Sequence, residues 1–174
     1  MNKTTEHELL WLAFLTAAAS SLHIVENLLM RLLPLPFIRI GLSNVVILYL
    51  IYKGKPWQAL IVNFSKSILG GLFTFTLLSP STVLSLAGGM AALIIMLVVK
   101  WVRLGFSIYG ISICGAIAHN MMQLAVVHTF IIQSDQVFVL TPLLLSIALI
   151  SGSVIAYITL YTDTRIKLPI IGEK

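Results

Sequence analysis

VFVLTPLLLSIALISGSVIAYITLY, residues 137–161, is a stretch without a single charged side chain. At about 1.5 Å per residue, a helix of this length crosses the roughly 30 Å hydrocarbon core of a bilayer. Five further apolar runs precede it, at Leu9–Leu33, Phe37–Tyr52, Trp57–Leu78, Thr82–Val99 and Phe106–Ile132. The sequence therefore predicts an all-α membrane protein, a bundle of six transmembrane helices that forms a single integral membrane domain over residues 1–174.

Composition supports a chain whose main solvent is lipid. The sequence is 59% hydrophobic and 10% charged, with a mean hydropathy of +1.03, whereas soluble proteins are about a quarter charged. The formal net charge of +5 comes from basic residues in short loops between the apolar runs. That distribution indicates membrane topology and argues against nucleic-acid binding. The one cysteine, Cys114, excludes a disulfide within one chain.

The basic residues also predict an orientation. With six spans, Arg31 and Arg39 fall on one side of the membrane. The other side holds a larger basic set, formed by Lys3, Lys53, Lys55, Lys100, Arg103, Arg165, Lys167 and Lys174. Because cytoplasmic loops carry the excess of lysine and arginine, both termini are predicted to lie in the cytoplasm.

Several spans carry polar residues that are costly in lipid. A charged group at a helix centre costs about 2.5–3.5 kcal/mol on insertion scales, so such residues are functional candidates. Under the predicted topology, these residues converge on the outer half of the bundle, as an outward-facing pocket requires. The candidate substrate-binding residues are His23, Glu26, Asn27, Arg39, Asn44, Asn63, Lys66, His119, Asn120 and Gln123. The cations Arg39 and Lys66 favour a small ligand with an anionic group.

Each candidate also has a purely structural interpretation. Lys66 could bond to neighbouring helices, Glu26 could form an ion pair with Lys66 or Arg39, and Arg39 could extend to the interface. His119, Asn120 and Gln123 could join helices by hydrogen bonds. No metal site is predicted, because the deep histidines His23 and His119 have no paired carboxylates. No cofactor is expected, and without a Walker motif the chain itself does not hydrolyse ATP.

Small residues form a second pattern on the first span. Ala13, Ala17 and Ser21 recur every four residues and permit close helix contact, so this stripe is a candidate docking face for a partner helix. Packing inside the bundle is the alternative. Four glycines in the third and fourth spans are interpreted as tight packing points rather than phosphate loops, namely Gly70, Gly71, Gly88 and Gly89.

Four motifs in order carry a family resemblance: AAASSLHIVENLL (17–29), LPLPFIRIGLSN (33–44), LSLAGGMA (84–91) and GISICGAIAHNMMQ (110–123). They resemble the bacterial membrane family labelled heptaprenyl diphosphate synthase component I, also called the Gx transporters. That family is in turn similar to the substrate-binding S components of energy-coupling factor (ECF) vitamin transporters.

The resemblance implies a fold and a set of partners. It implies a six-helix, S-component-like bundle in the bacterial cell membrane, with a ligand site near the outer face beneath the first outer loop. It implies docking of a transmembrane T component by the stripe Ala13, Ala17 and Ser21, with two ABC-type ATPases as further partners. The matching site positions are His23, Glu26, Arg39, Asn44, His119, Asn120 and Gln123.

Two positions depart from the family pattern, and two alternatives stay open. A glycine commonly precedes the glutamine where this chain has Met122, and an arginine is common near Lys66, so pocket shape and substrate are open. The family label names a synthase, but Asp135 and Asp163 lie in separate polar segments, whereas prenyl elongation needs clustered aspartates. We therefore expect no enzyme. A non-catalytic accessory subunit of the synthase is the main alternative, and a channel would require evenly distributed polarity.

Overall fold

The computed structural model describes residues 3–30, 40–102 and 105–165. In this part of the chain, helices account for all regular structure and no strand occurs. The α-helices are α1 (Lys3–Met30), α2 (Asn44–Tyr52), α3 (Pro56–Phe73), α4 (Pro80–Trp101), α5 (Ile108–Val127) and α6 (Thr141–Arg165). A π-helical turn, His128–Ile132, continues α5, and a 3-10 helix, Asp135–Leu140, leads into α6.

The helices pack around α2. Along the bundle, α1 packs on α3, α3 on α4, α4 on α5 and α5 on α6, while α6 returns to contact α2. Helix α2 also contacts α1, α3 and α4, and eight of its nine residues are buried. A helix that is apolar on all sides is expected inside a protein or a membrane. The main core accordingly joins residues 45–51 to Ala59, Met96 and Ile155 of the surrounding helices.

The outer surface is apolar, as a lipid-facing surface should be. Large side chains such as Leu10, Phe14 and Ile150 are well exposed. Among the described residues, four helical stretches are long and apolar enough to cross a membrane, at 6–29, 80–101, 108–132 and 135–165. The protein is therefore an all-helical, multi-pass membrane protein.

Two predicted spans are shorter in the structure. The second was predicted from Phe37, but residues 40–43 are not helical and α2 begins at Asn44. At about 1.5 Å per residue, its nine residues reach less than half of a bilayer core. The third was predicted to run to Leu78, but α3 ends at Phe73. Gly41 (φ +78°) and Phe75 (φ 56°) are left-handed, which a right-handed helix cannot continue.

Three lysines, Lys53, Lys55 and Lys100, lie at one end of the bundle. We call this end the basic end. Lys53 forms an ion pair of 2.6 Å with Asp163, and Lys55 one of 3.7 Å with Glu8. These contacts place the start of α1, the α2–α3 turn and the end of α6 together. Lys100 adds the end of α4, because its ammonium donates to carbonyl oxygens at the end of α2. Lys53, Lys55 and Lys100 thus lie at one end of the bundle.

Candidate functional site

The polar residues predicted from the sequence meet in the half of the bundle away from the basic end. They lie near the end of α1, at the start of α2, in α3 and in the second half of α5, and Arg39 lies outside the described residues. Their buried side chains are His23, Glu26, Asn27, Asn44, Asn63, Lys66, His119, Asn120 and Gln123. The predicted convergence of these positions is thus present in the structure.

Two charged side chains hold the turn that leads into α2. The backbone N–H of Gly41 donates to the carboxylate of Glu26. From α3, the Lys66 ammonium donates to the Ser43 hydroxyl at 3.0 Å and to the Asn44 side-chain oxygen at 2.6 Å. Both charged side chains are only 2% exposed, and hydrogen bonds to charged groups are the stronger kind. Glu26 and Lys66 therefore fix the position of Asn44.

A second network joins α1, α3 and α4. The Nε2 atom of His23 lies 3.3 Å from the Asn27 amide nitrogen and 3.0 Å from the Ser85 hydroxyl. Ser85 in turn lies 3.2 Å from the Ser67 hydroxyl. His23 and Asn27 are one helical turn apart, which is why one face of α1 presents both. Three helices thus share one hydrogen-bonded polar layer.

Glycines let these polar side chains lie directly against neighbouring helices. A Cβ atom on Gly70 would lie 2.3 Å from Cδ2 of His23, and one on Gly89 would lie 2.5 Å from Oδ1 of Asn63. A Cβ atom on Gly88 would lie 3.0 Å from Cε1 of His119. The predicted role of these glycines as tight packing points is confirmed.

Two carboxamides in this layer have no hydrogen-bond partner among the described residues. They are the side chains of Asn63 on α3 and Gln123 on α5, for which neither the nitrogen nor the oxygen is paired. Both are buried, at 0% and 2% exposure. They lie on either side of α4, against Gly89 and Gly88. A buried polar group left unpaired costs about 1–3 kcal/mol, so this arrangement is expensive for a purely structural bundle.

Asn120 differs from these two residues because its amide is paired. Its Nδ2 atom donates to the backbone carbonyl of Leu144 on α6 at 3.0 Å. This is the helix-joining role described above as the structural alternative, and the structure favours that role for Asn120. His119, one residue earlier, faces Gly88 of α4 instead.

One small cavity lies among the polar residues of the site. A cavity of about 10 Å³ lies between Asn44, Ser112, His119 and Ser151. Such a volume holds about one water molecule, whereas small-molecule sites measure roughly 300–1,000 Å³. This cavity as it stands therefore does not hold a larger ligand.

The stripe on α1 faces away from this site. Ala13, Ala17 and Ser21 are exposed, whereas His23 and Glu26 are buried in the bundle. The stripe thus lies on the outer surface, where a partner helix can reach it, rather than inside the bundle.

As for metals, no group of three His, Cys, Asp or Glu side chains converges within residues 3–30, 40–102 and 105–165.

Three contributors to the site were not predicted from the sequence. Gly41 supplies the N–H that contacts Glu26, Ser43 accepts from Lys66, and Ser85 links His23 to Ser67. Ser85 had a detectable signal, because it lies one helical turn before Gly88 and Gly89 and shares their face. Gly41 and Ser43 had no such signal in the sequence. Their role depends on a turn, and this turn lies inside a stretch that is apolar enough to be predicted as a transmembrane helix.

Comparison with known proteins matches the chain to a family model. The family model for heptaprenyl diphosphate synthase component I matches residues 15–162. The match begins within the α1 stripe and ends near the end of α6, so it includes every candidate site residue. Neither a curated protein nor a solved structure matches the chain.

Proposed function

We propose that this chain, which belongs to the heptaprenyl diphosphate synthase component I family, is the substrate-binding membrane subunit of an ECF-type importer. In this role it binds a small anionic or amphipathic ligand in the polar half of the bundle. A T component and two ABC-type ATPases bind to it and supply the energy of ATP hydrolysis. The chain itself performs no catalysis.

The observation that carries the proposal is the pair of carboxamides, Asn63 and Gln123, that have no hydrogen-bond partner within the described part of the chain. A bundle held together only for structure satisfies its buried polar groups, particularly in lipid. A binding site instead keeps donors and acceptors available for its ligand. Asn63 and Gln123 each offer both a donor and an acceptor, and both are buried against the glycine pair of α4, Gly89 and Gly88.

The charge and shape of the site suggest the ligand class. The buried ammonium of Lys66 favours an anionic group nearby, and the apolar side chains around the polar layer suit a hydrophobic part. Because the cavity beside Asn44 and His119 has a volume of about 10 Å³, binding there requires an opening movement. Helix α4 lies against Asn63 and Gln123 through Gly89 and Gly88, so α4 is the helix we expect to move.

The proposal includes six crossings with both termini in the cytoplasm. Helix α2 runs from the polar half at Asn44 to the basic end at Lys53, and α3 returns from Lys55 past Lys66. Their polar side chains face the interior, which lowers the hydropathy of α3 without exposing polar groups to lipid. The basic end then faces the cytoplasm, as the distribution of lysines requires.

The exposed stripe on α1 is the proposed contact with the T component. Small side chains let two helices approach closely. By helical geometry the stripe lies opposite Glu26, so one face of α1 is free for the partner while the other lines the site.

Co-purification tests this proposal. The tagged chain is extracted from native membranes in mild detergent, and the proteins that accompany it are identified by mass spectrometry. We expect a T component and two ABC-type ATPases. Ala17→Phe should remove them by blocking the stripe. Leu22→Phe is the matched control, because Leu22 is also exposed but lies on the other flank of α1. Equal recovery with both variants would contradict the docking face.

The family name favours a second function, that of a non-catalytic membrane subunit of a prenyl diphosphate synthase. A catalytic role has little support, because the aspartates are separated and engaged. Asp135 lies 3.2 Å from His128, and Asp163 lies 2.6 Å from Lys53 at the basic end. Recovery of a soluble prenyl synthase without ATPases in the same experiment would establish this second function.

A further inference from the structure

Lys100 differs from the other lysines of the basic end in how its charge is balanced. Lys53 and Lys55 pair with the carboxylates of Asp163 and Glu8. Lys100 has no carboxylate partner in the described part of the chain, and its ammonium donates instead to the backbone carbonyls of Ile51 and Tyr52, the latter at 3.2 Å. Among the described residues, the positive charge of Lys100 is therefore balanced by neutral carbonyl oxygen atoms alone.

Two open clefts meet at the Lys100 side chain. The larger, about 400 Å³, lies between the ends of α2 and α4 and the start of α5, and Lys100 lines it together with Tyr52, Phe106 and Ile111. The smaller, about 320 Å³, lies on the other side of α4, where Lys100 is joined by Leu97 and Trp101. Apart from Lys100, the walls named here are apolar or aromatic.

This combination fits an amphipathic anion. An ammonium has three N–H donors, and the two carbonyls leave one for a phosphate oxygen. The clefts supply apolar walls on which acyl chains can lie. Trp101 is 82% exposed, and tryptophan is enriched at the level of the lipid headgroups. Basic pockets between transmembrane helices are known to hold anionic headgroups.

We propose that Lys100 and its two flanking clefts form a binding site for one anionic phospholipid of the leaflet at the basic end. The phosphate contacts the Lys100 ammonium, and the acyl chains occupy the clefts on either side of α4. Because Lys100 also contacts the carbonyls at the end of α2, the bound lipid stabilises the joint between α2, α4 and α5. This site lies at the opposite end of the bundle from the polar layer and does not depend on the proposed import function.

The test compares lipids with identical acyl chains. The purified full-length protein is titrated with mixed micelles of phosphatidylglycerol or phosphatidylcholine, and the melting temperature and the bound lipid are measured by thermal unfolding and native mass spectrometry. We expect phosphatidylglycerol to bind more tightly than phosphatidylcholine. Lys100→Met should weaken binding of phosphatidylglycerol about fivefold, the effect expected for one basic residue near the membrane surface. Lys100→Arg should keep the preference.

Lys55→Met is the matched control, because Lys55 belongs to the same basic end but is paired with Glu8. It should leave the preference unchanged. If Lys100→Met does not fold, Ile111→Trp tests the site by filling the larger cleft while keeping the lysine, and it should also abolish the preference. An unchanged preference in the folded Lys100→Met or Ile111→Trp variant would overturn the proposal. Equal stabilisation by inorganic phosphate alone would overturn the assignment to a lipid.

Discussion

Replacing Asn63 by alanine should leave the protein more stable than replacing Asn120 by alanine. Both asparagines are buried, at 0% and 2% exposure, and both variants lose the same atoms. The carboxamide of Asn63 has no partner among the described residues, whereas that of Asn120 donates to the Leu144 carbonyl at 3.0 Å. Removing an unpaired buried amide recovers about 1–3 kcal/mol, and removing a paired one loses about 1 kcal/mol.

The cost of the cavity is similar in the two variants, so their difference isolates the hydrogen bonding. That difference is about 2 kcal/mol or more, which corresponds to roughly 4–8 °C in Tm for a chain of this size. Thermal unfolding of both variants in the same detergent measures it. We expect Asn63→Ala to melt above Asn120→Ala by this margin. Equal melting temperatures, or the reverse order, would refute the conclusion that Asn63 is unpaired in the folded protein.

Two further predictions concern packing and pH. Gly70→Ala should destabilise the protein by about 1–3 kcal/mol through overpacking, because the new Cβ atom would lie 2.3 Å from the His23 ring. Adding His23→Ala to the same chain should restore part of this loss. Thermal unfolding measures both effects. The hydrogen bond that the Lys53 ammonium donates to the Asp163 carboxylate raises the pKa of Lys53 above its ordinary value of 10.5. From neutral pH up to pH 10.5 this ion pair therefore stabilises the fold fully, and it loses its effect as the pH rises through the raised pKa. Asp163→Asn should lower stability by up to about 1 kcal/mol at neutral pH, and the deficit relative to wild type should disappear in strong alkali; a deficit that grows with pH would contradict this account.

The fold class followed from the sequence because hydrophobic length is a strong signal. A stretch such as residues 137–161 has no soluble alternative, and α6 with its leading 3-10 helix covers it entirely. The ends of α2 and α3 were harder, because composition does not report backbone handedness. Gly41 and Phe75 interrupt apolar stretches through left-handed φ angles. Phenylalanine rarely adopts such a conformation, so the residue type at position 75 gives no sign of it.

Most of the buried polar side chains could be identified from the sequence, but their contacts could be predicted only in part. Polar residues such as Lys66 and Gln123 are costly in lipid, so their positions alone identified the buried layer. Which of them are paired depends on distances between helices. Asn63 and Asn120 are the same residue type in similar surroundings, yet only Asn120 reaches a carbonyl on a neighbouring helix. Sequence patterns within one helix do not contain that information.

The most direct test of the central claim is to measure the small molecules that remain bound to the purified protein. Wild type, Asn63→Ala, Gln123→Ala and Asn120→Ala are purified from the same native membranes, and the released compounds are compared by mass spectrometry. The proposed function predicts a compound in wild type that is lost from both the Asn63→Ala and Gln123→Ala variants while they remain folded, and is kept better by Asn120→Ala. The absence of any compound enriched in wild type over those two variants would contradict the account.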